Sequence, residues 1–170
     1  KSKGVCVDAD INLVNQIKKM RKRDTVIHSG ISTSNESEGV FYLFDEPALN
    51  TFSLKEVNAR IEEGNHKVVG KINVKLQNIN KIISENFETY PDLLSIDIEG
   101  LDFQVLNSLD YNKYPIPVLC VETCEYSENH VRPKNTSFIK LLNDKGYEVY
   151  ADTYINTIFV NKKWFYNKVL

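Results

Sequence analysis

The sequence predicts an α/β protein whose sheet is parallel for most of its width. Three observations predict it. Apolar runs of strand length alternate with capped, amphipathic segments of helix length. Several of those runs end in an acid: Asp8, then Asp97 with Glu99, then Glu122. Within Asp92-Leu93-Leu94-Ser95-Ile96-Asp97-Ile98-Glu99-Gly100-Leu101 the apolar residues are nearly continuous, as expected for a strand buried on both faces.

In chain order, Gly4 to Asp8 reads as a short buried strand. Asp10 caps a helix from Ile11 to about Lys22, with Leu13, Ile17 and Met20 on one face and Val14 at its flank. Thr25 to His28 is the next strand, and the small polar stretch Ser32 to Gly39 is a loop. Val40 to Phe44 is a strand. Ser53-Leu54-Lys55-Glu56 has the pattern of a capping box, which starts a helix at Leu54 that ends near Glu63 before Gly64. His66 to Leu76 alternates and is read as a strand. Asn78 caps a helix to Phe87 that buries Ile79, Ile82 and Ile83. The acidic strand follows, then a helix over Asp102–Leu109. Ile116 to Glu122 is another buried strand. Thr136 to Lys145 is a helix closed by Gly146, and Tyr147 to Ala151 with Thr157 to Val160 forms a final antiparallel pair. Lys162 to Leu170 is a short closing segment.

The 170 residues suit one compact domain, 1–170, with a real core. A formal charge of −2 gives no electrostatic reason to expect nucleic acid. The basic run Lys18 to Arg23 reads as the solvated end of a helix, with cations at the C-terminal dipole. No stretch approaches the roughly 20 apolar residues that span a bilayer, and no secretory signal pattern is visible. Three cysteines (Cys6, Cys120, Cys124) without a framework favour a reducing cytosol. Cys6 and Cys120 lie in apolar runs and read as small buried hydrophobes. The spacing of Cys120 and Cys124 is not that of a zinc knuckle, and no metal set is expected.

The acids carry the chemistry. Asp8 closes a strand before a helix, where an acid accepts hydrogen bonds either from ribose hydroxyls or from the backbone of the helix start. Asp97 and Glu99 are two positions apart, so on a regular strand they point to one face. At the carboxyl edge of a sheet such a pair can hold a metal, act as a base toward a hydroxyl, position a substrate, or cap the next helix. Glu122 precedes a polar loop, Thr123 to His130, that either grips a substrate through groups such as Tyr126 or is simply solvated. His130 is the best histidine for proton transfer. His28 reads as structural and His66 as exposed. No nucleophile elbow and no phosphate-cradling glycine loop is present.

Three segments resemble the FkbM-type S-adenosylmethionine-dependent methyltransferases. Gly4-Val5-Cys6-Val7-Asp8-Ala9-Asp10 is similar to that family's second strand, Asp92 to Leu101 to its signature fourth strand with Asp97-Ile98-Glu99-Gly100 at the centre, and Ile116 to Thr123 to its fifth. The resemblance covers nearly the whole chain. It implies a Rossmann-like class I sheet, mostly parallel with an antiparallel edge strand, and methyl transfer to a hydroxyl of a sugar or natural product. It implies S-adenosylmethionine as cofactor, with Asp8 at its ribose, Gly30, Ile31 and Ser32 near its adenine, and Asp97 and Glu99 near the methyl group and the acceptor. The partners expected are a small-molecule or glycan acceptor, with no nucleic acid and no membrane. A homo-oligomer is compatible with the sequence, which does not set the oligomeric state.

The family's first strand and glycine-rich loop, which cradle the methionine end of the cofactor, would precede Lys1, and nothing in the chain replaces them. Either a segment ahead of Lys1 carries them or the member is degenerate. Without that strand the sheet is expected to split or re-pair between the strands of Asp8 and Asp97, and these residues alone are expected to bind the cofactor weakly. The competing reading is a non-catalytic α/β binding module that keeps the fold without the cofactor.

Overall fold

The computed structural model describes residues 2–34, 36–124 and 134–169. They form two compact units, one of Lys1–Asn86 with Glu99–Leu101, the other of Phe87–Ile98 with Asp102–Leu170.

The first unit opens with β1 (Val5–Asp8), α1 (Ile11–Met20) and β2 (Thr25–His28), and the two strands pair in parallel. Asp10 caps α1 by accepting the Asn12 N–H at 2.7 Å. The buried face of this helix differs from the expected one. Val14 is fully buried, while Leu13 and Met20 are exposed. Periodicity defines a stripe but not which edge of it meets the neighbouring strand, and here that edge is Val14.

A mixed sheet follows, built from β3 (Gly30–Ser32), β4 (Glu38–Phe44) and β5 (Val68–Asn78). β5 lies in the middle, parallel to β3 and antiparallel to β4. A single 3₁₀ turn, Pro47–Leu49, and α2 (Leu54–Glu63) join β4 to β5. Ser53 accepts the Glu56 N–H, and Gly64 ends α2 at φ +82°. Only half of the capping box forms: the Ser53 N–H donates instead to Thr51 Oγ1 at 2.9 Å. Ala9, Phe41 and Val74 make a small core, with Leu43 and Phe52 packed against it. α3 (Ile79–Asn86) continues directly from β5 and buries Ile79, Ile82 and Ile83, as the sequence indicates.

The second unit is a four-stranded sheet in the order β6 (Leu93–Ile96), β7 (Val118–Glu122), β9 (Asn156–Asn161), β8 (Tyr147–Asp152). Only β6 and β7 run in parallel. α4 (Asp102–Ser108) and α5 (Thr136–Asp144) accompany it, with Phe103 and Phe138 edge to face at 5.5 Å, and α6 (Lys162–Val169) closes the chain. Leu119 and Val121 on β7 are fully buried, as are Leu106, Ile116, Leu142, Tyr147 and Phe159.

The class is therefore mixed α/β, but the balance of strand directions differs from the expectation. Among the described residues three pairings are parallel (β1–β2, β3–β5, β6–β7) and three are antiparallel (β4–β5, β7–β9, β8–β9). A helix between two strands does not guarantee a parallel crossover: α2 lies between β4 and β5, which pair antiparallel. β1 and β6 fall in different sheets. Among the described residues β6 pairs only with β7, and it is not buried on both faces, with Leu93 56% exposed. Cys6, Cys120 and Cys124 are free and half-buried, so Cys6 and Cys120 are less buried than their apolar runs suggest. Among the described residues, no helix is long and apolar enough to cross a membrane.

Candidate functional site

Asp8 ends β1, and its backbone carbonyl accepts the Ser29 N–H at 3.0 Å, so the chain leaving β2 runs past it toward Gly30, Ile31 and Ser32. These four residues all belong to the first unit. The Asp8 carboxylate accepts the Asp10 N–H at 2.8 Å. Even so its pKa is raised above 3.8, because burial outweighs the Asp10 hydrogen bond. Asp8 thus does what a helix-start acid does, and further hydrogen-bond donors would stabilise its carboxylate form. His28 Nε2 lies 3.0 Å from the Ala9 carbonyl, which agrees with a structural role for that histidine.

Gly30 and Ser32 are buried and Ile31 is half-buried. A Cβ on Gly30 would lie 2.5 Å from the Phe52 ring and 2.7 Å from Leu76 Cδ2, so packing accounts for the glycine. Ser32 Oγ donates to the Ser34 carbonyl at 2.9 Å.

Asp97 and Glu99 do not share a strand face. β6 ends at Ile96, where its ladder with β7 ends, and Glu99 has φ +50° with Gly100 at +96°. Two successive left-handed residues turn the chain, so the alternation of a strand stops before either acid. Ile98 N–H caps onto Asp102 Oδ1 at 3.1 Å as α4 begins.

Glu99 is held within the first unit. Arg60 Nη2 donates to Glu99 Oε2 at 2.5 Å, and Thr51 Oγ1 donates to the Glu99 carbonyl at 2.7 Å. Arg60 is 1% exposed, its Nη1 donates to the Leu49 carbonyl, and its guanidinium lies 5.6 Å from the Phe44 ring centroid. Gly100 abuts α2: a Cβ there would stand 2.5 Å from Glu56 Cγ. Sequence reasoning missed Arg60, since a basic residue on a helix reads as solvated. The available signal was its position three residues after Val57, on the one face that α2 buries.

Asp97, exposed, and Glu122, half-buried, come together in the second unit. Ile96 pairs with Val121, so each acid is the next residue beyond the last rung of the β6–β7 ladder. Their carboxylate oxygens lie within 4.8 Å of one another. Two carboxylates at that distance can share a cation or a hydroxyl donor between them. Beyond Glu122 the chain is pinned by Lys134, whose Nζ donates to Asp152 at 2.8 Å and to Thr123 and Thr157 at 3.1 Å. That hydrogen bond holds the Asp152 carboxyl below the usual range. His130 and Tyr126 lie outside the described residues. His66 is half-buried, with Nδ1 3.5 Å from Asp45 Oδ1, rather than exposed.

A protein-family model described as the methyltransferase FkbM domain matches residues 6–149. No curated protein and no solved structure matches the chain.

Proposed function

The chain belongs to the FkbM methyltransferase family, and from that premise we propose that it uses S-adenosylmethionine and methylates a hydroxyl oxygen of a sugar or natural product. The observation that carries this reading is the carboxylate pair of Asp97 and Glu122, within 4.8 Å of each other just beyond paired strand ends. An alcohol becomes a competent nucleophile only as its proton is withdrawn, and a carboxylate within hydrogen-bond reach is the group that does so.

The residues present fit the cofactor on the chemistry of Asp8. Its half-buried carboxylate is undercompensated, as its raised pKa indicates, and a ribose diol supplies two O–H donors. Ile31 offers partly exposed apolar surface for an adenine ring, and Gly30 and Ser32 fix the backbone beside it. When bound, the cofactor supplies a methyl carbon activated by its sulfonium. Asp97 accepts the proton that the acceptor hydroxyl gives up. Glu122 orients the hydroxyl; Tyr126 as a substrate contact and His130 as a proton-transfer group rest on the sequence alone. The charges would balance: the bound cation would supply the methyl group to oxygen, and the Asp97 carboxylate would take the hydroxyl proton.

Calorimetric titration of the full-length gene product with S-adenosylhomocysteine tests the cofactor, and transfer of labelled methyl to a panel of sugar and natural-product hydroxyls tests the reaction. Saturable binding and a labelled ether product support the reading. A cooperatively folded protein that neither binds nor transfers would instead be a binding module that has lost the chemistry.

A further inference from the structure

Packing within the first unit does not account for the outward face of α1. The helix packs on β1 and β2 through Val14, which is fully buried, with Ile17 half-buried. Leu13 and Met20 are seven residues apart, so they stand on one face of the helix, about 10 Å from each other along its axis. That face meets solvent: Leu13 is 38% exposed and Met20 83%, the highest value for a large apolar side chain among the described residues. Cations collect at the same end. Lys18, Lys19, Arg21, Lys22 and Arg23 are all exposed, and Met20 stands in their midst. The Gly4 N–H donates to Asp24 Oδ1 at 2.9 Å, which brings the exposed Lys3 to this end from another strand. Asp24, the acid that follows the basic run, is bound by Arg21. The remaining cations are therefore surplus positive charge on a chain whose net charge is −2. The helix dipole gives a reason for Lys18 and Lys19, but none for an apolar side chain standing in water between them and Lys22.

We propose that α1 and the turn after it, from Leu13 to Arg23, form a docking surface for an anionic lipid bilayer. Met20 and Leu13 enter the boundary between headgroups and acyl chains, and the long stems of the lysines and Arg23 let their charges reach lipid phosphates and carboxylates. A soluble polyanion such as an RNA would use the cations and leave both apolar side chains in water. The helix lies on the surface and does not cross it, because its ten residues rise about 15 Å, half the hydrocarbon thickness. The expectation of no membrane rested on the lack of a spanning stretch, and a helix lying on a surface needs none. The proposal is independent of the methyltransferase reading.

Sedimentation of the full-length gene product with sucrose-loaded vesicles tests it. Phosphatidylcholine vesicles with about 30% phosphatidylserine should pellet the protein, and vesicles of phosphatidylcholine alone should not. Binding should weaken as salt rises. Lys19→Gln/Lys22→Gln/Arg23→Gln should weaken it about 100-fold, at about fivefold per charge removed. Met20→Ser leaves the charge unchanged and should weaken it about tenfold. These side chains are exposed, so both variants should melt close to wild type, and Met20→Ser alone decides the matter if the triple variant does not fold. Anionic vesicles that leave the protein in the supernatant would overturn the proposal, as would equal pelleting by neutral vesicles. So would a Met20→Ser protein that binds like wild type, because the cations alone would then hold the anion, as they would an RNA.

Discussion

Gly100→Ala perturbs the Asp97-Ile98-Glu99-Gly100 turn through two separable terms. The backbone at Gly100 has φ +96°, where an L side chain costs about 1–2 kcal/mol. The new Cβ would also stand 2.5 Å from Glu56 Cγ and 3.1 Å from Cδ, well inside contact distance. Glu56 must then rotate away from α2's contact with the turn, an overpacking cost of about 1–3 kcal/mol. The sum is about 2–5 kcal/mol. Glu56→Ala removes the atoms that clash and leaves the backbone term alone, so in that background Gly100→Ala should cost only about 1–2 kcal/mol. Urea unfolding followed by circular dichroism on the four proteins gives both numbers. Equal losses in the two backgrounds would show that α2 does not abut the turn. No loss in either would show that Gly100 is not left-handed.

Asp8→Asn should raise stability at pH 7. Burial lifts the folded carboxyl above 3.8, so the native state binds more protons than the unfolded state in that window, and the Asp8 charge opposes folding once pH exceeds the folded value. In urea melts the gain over wild type should shrink as pH falls toward 3.8, and a gain that grows on acidification would contradict the assigned cause. The same variant should bind S-adenosylhomocysteine about 1.5–3 kcal/mol more weakly by calorimetry, the scale of a lost charged hydrogen bond. Gly30→Ala should destabilise by about 1–3 kcal/mol through Phe52 and Leu76, and Phe52→Leu in the same chain should recover part of it in thermal melts. Burial pushes the Tyr147 phenol up to about 12, and its hydroxyl donates to the Ile116 carbonyl at 2.7 Å. Its neutral form is the one the fold holds, so stability should fall as pH rises past 10. Tyr147→Phe should flatten that alkaline limb while costing about 1–3 kcal/mol at neutral pH, because a buried carbonyl loses its donor.

What could be read from sequence was whatever local chemistry specifies. α2 runs Leu54–Glu63 as expected because Ser53 and Gly64 mark its ends by their own hydrogen bonding and backbone freedom. β2 and the β8–β9 pair were legible because their apolar pattern is bounded by turn residues. The three-residue β3 was not, since it is a strand only by pairing with Leu76–Asn78, far along the chain. Strand direction was not legible either, because alternation of elements says nothing about which way a chain re-enters its sheet. At the candidate site, Asp8, Asp97, Glu99 and Glu122 were visible as acids at strand ends. How each is held was not: the two-residue spacing of Asp97 and Glu99 fixes a common face only while a strand lasts, and β6 ends at Ile96. Asp97 therefore meets Glu122 across a ladder. Arg60 escaped notice because its counter-ion is 39 residues away.

The contact between Arg60 and Glu99 also sets an order of events during synthesis. The first unit is not contiguous in sequence: it ends at Asn86 and then regains Glu99–Leu101. A nascent chain that has reached Asn86 has every strand of that unit but lacks the carboxylate closest to its most deeply buried cation. Burying a guanidinium ahead of its counter-ion is costly. With only the more distant Glu56 carboxylate, 3.8 Å away, as counter-ion, α2 should dock less tightly and be more open to protease until Glu99 is in place. Arrested chains ending at Asn86 and at Leu101 should differ in cleavage within α2, although neither gains a helix or strand over the other in that unit.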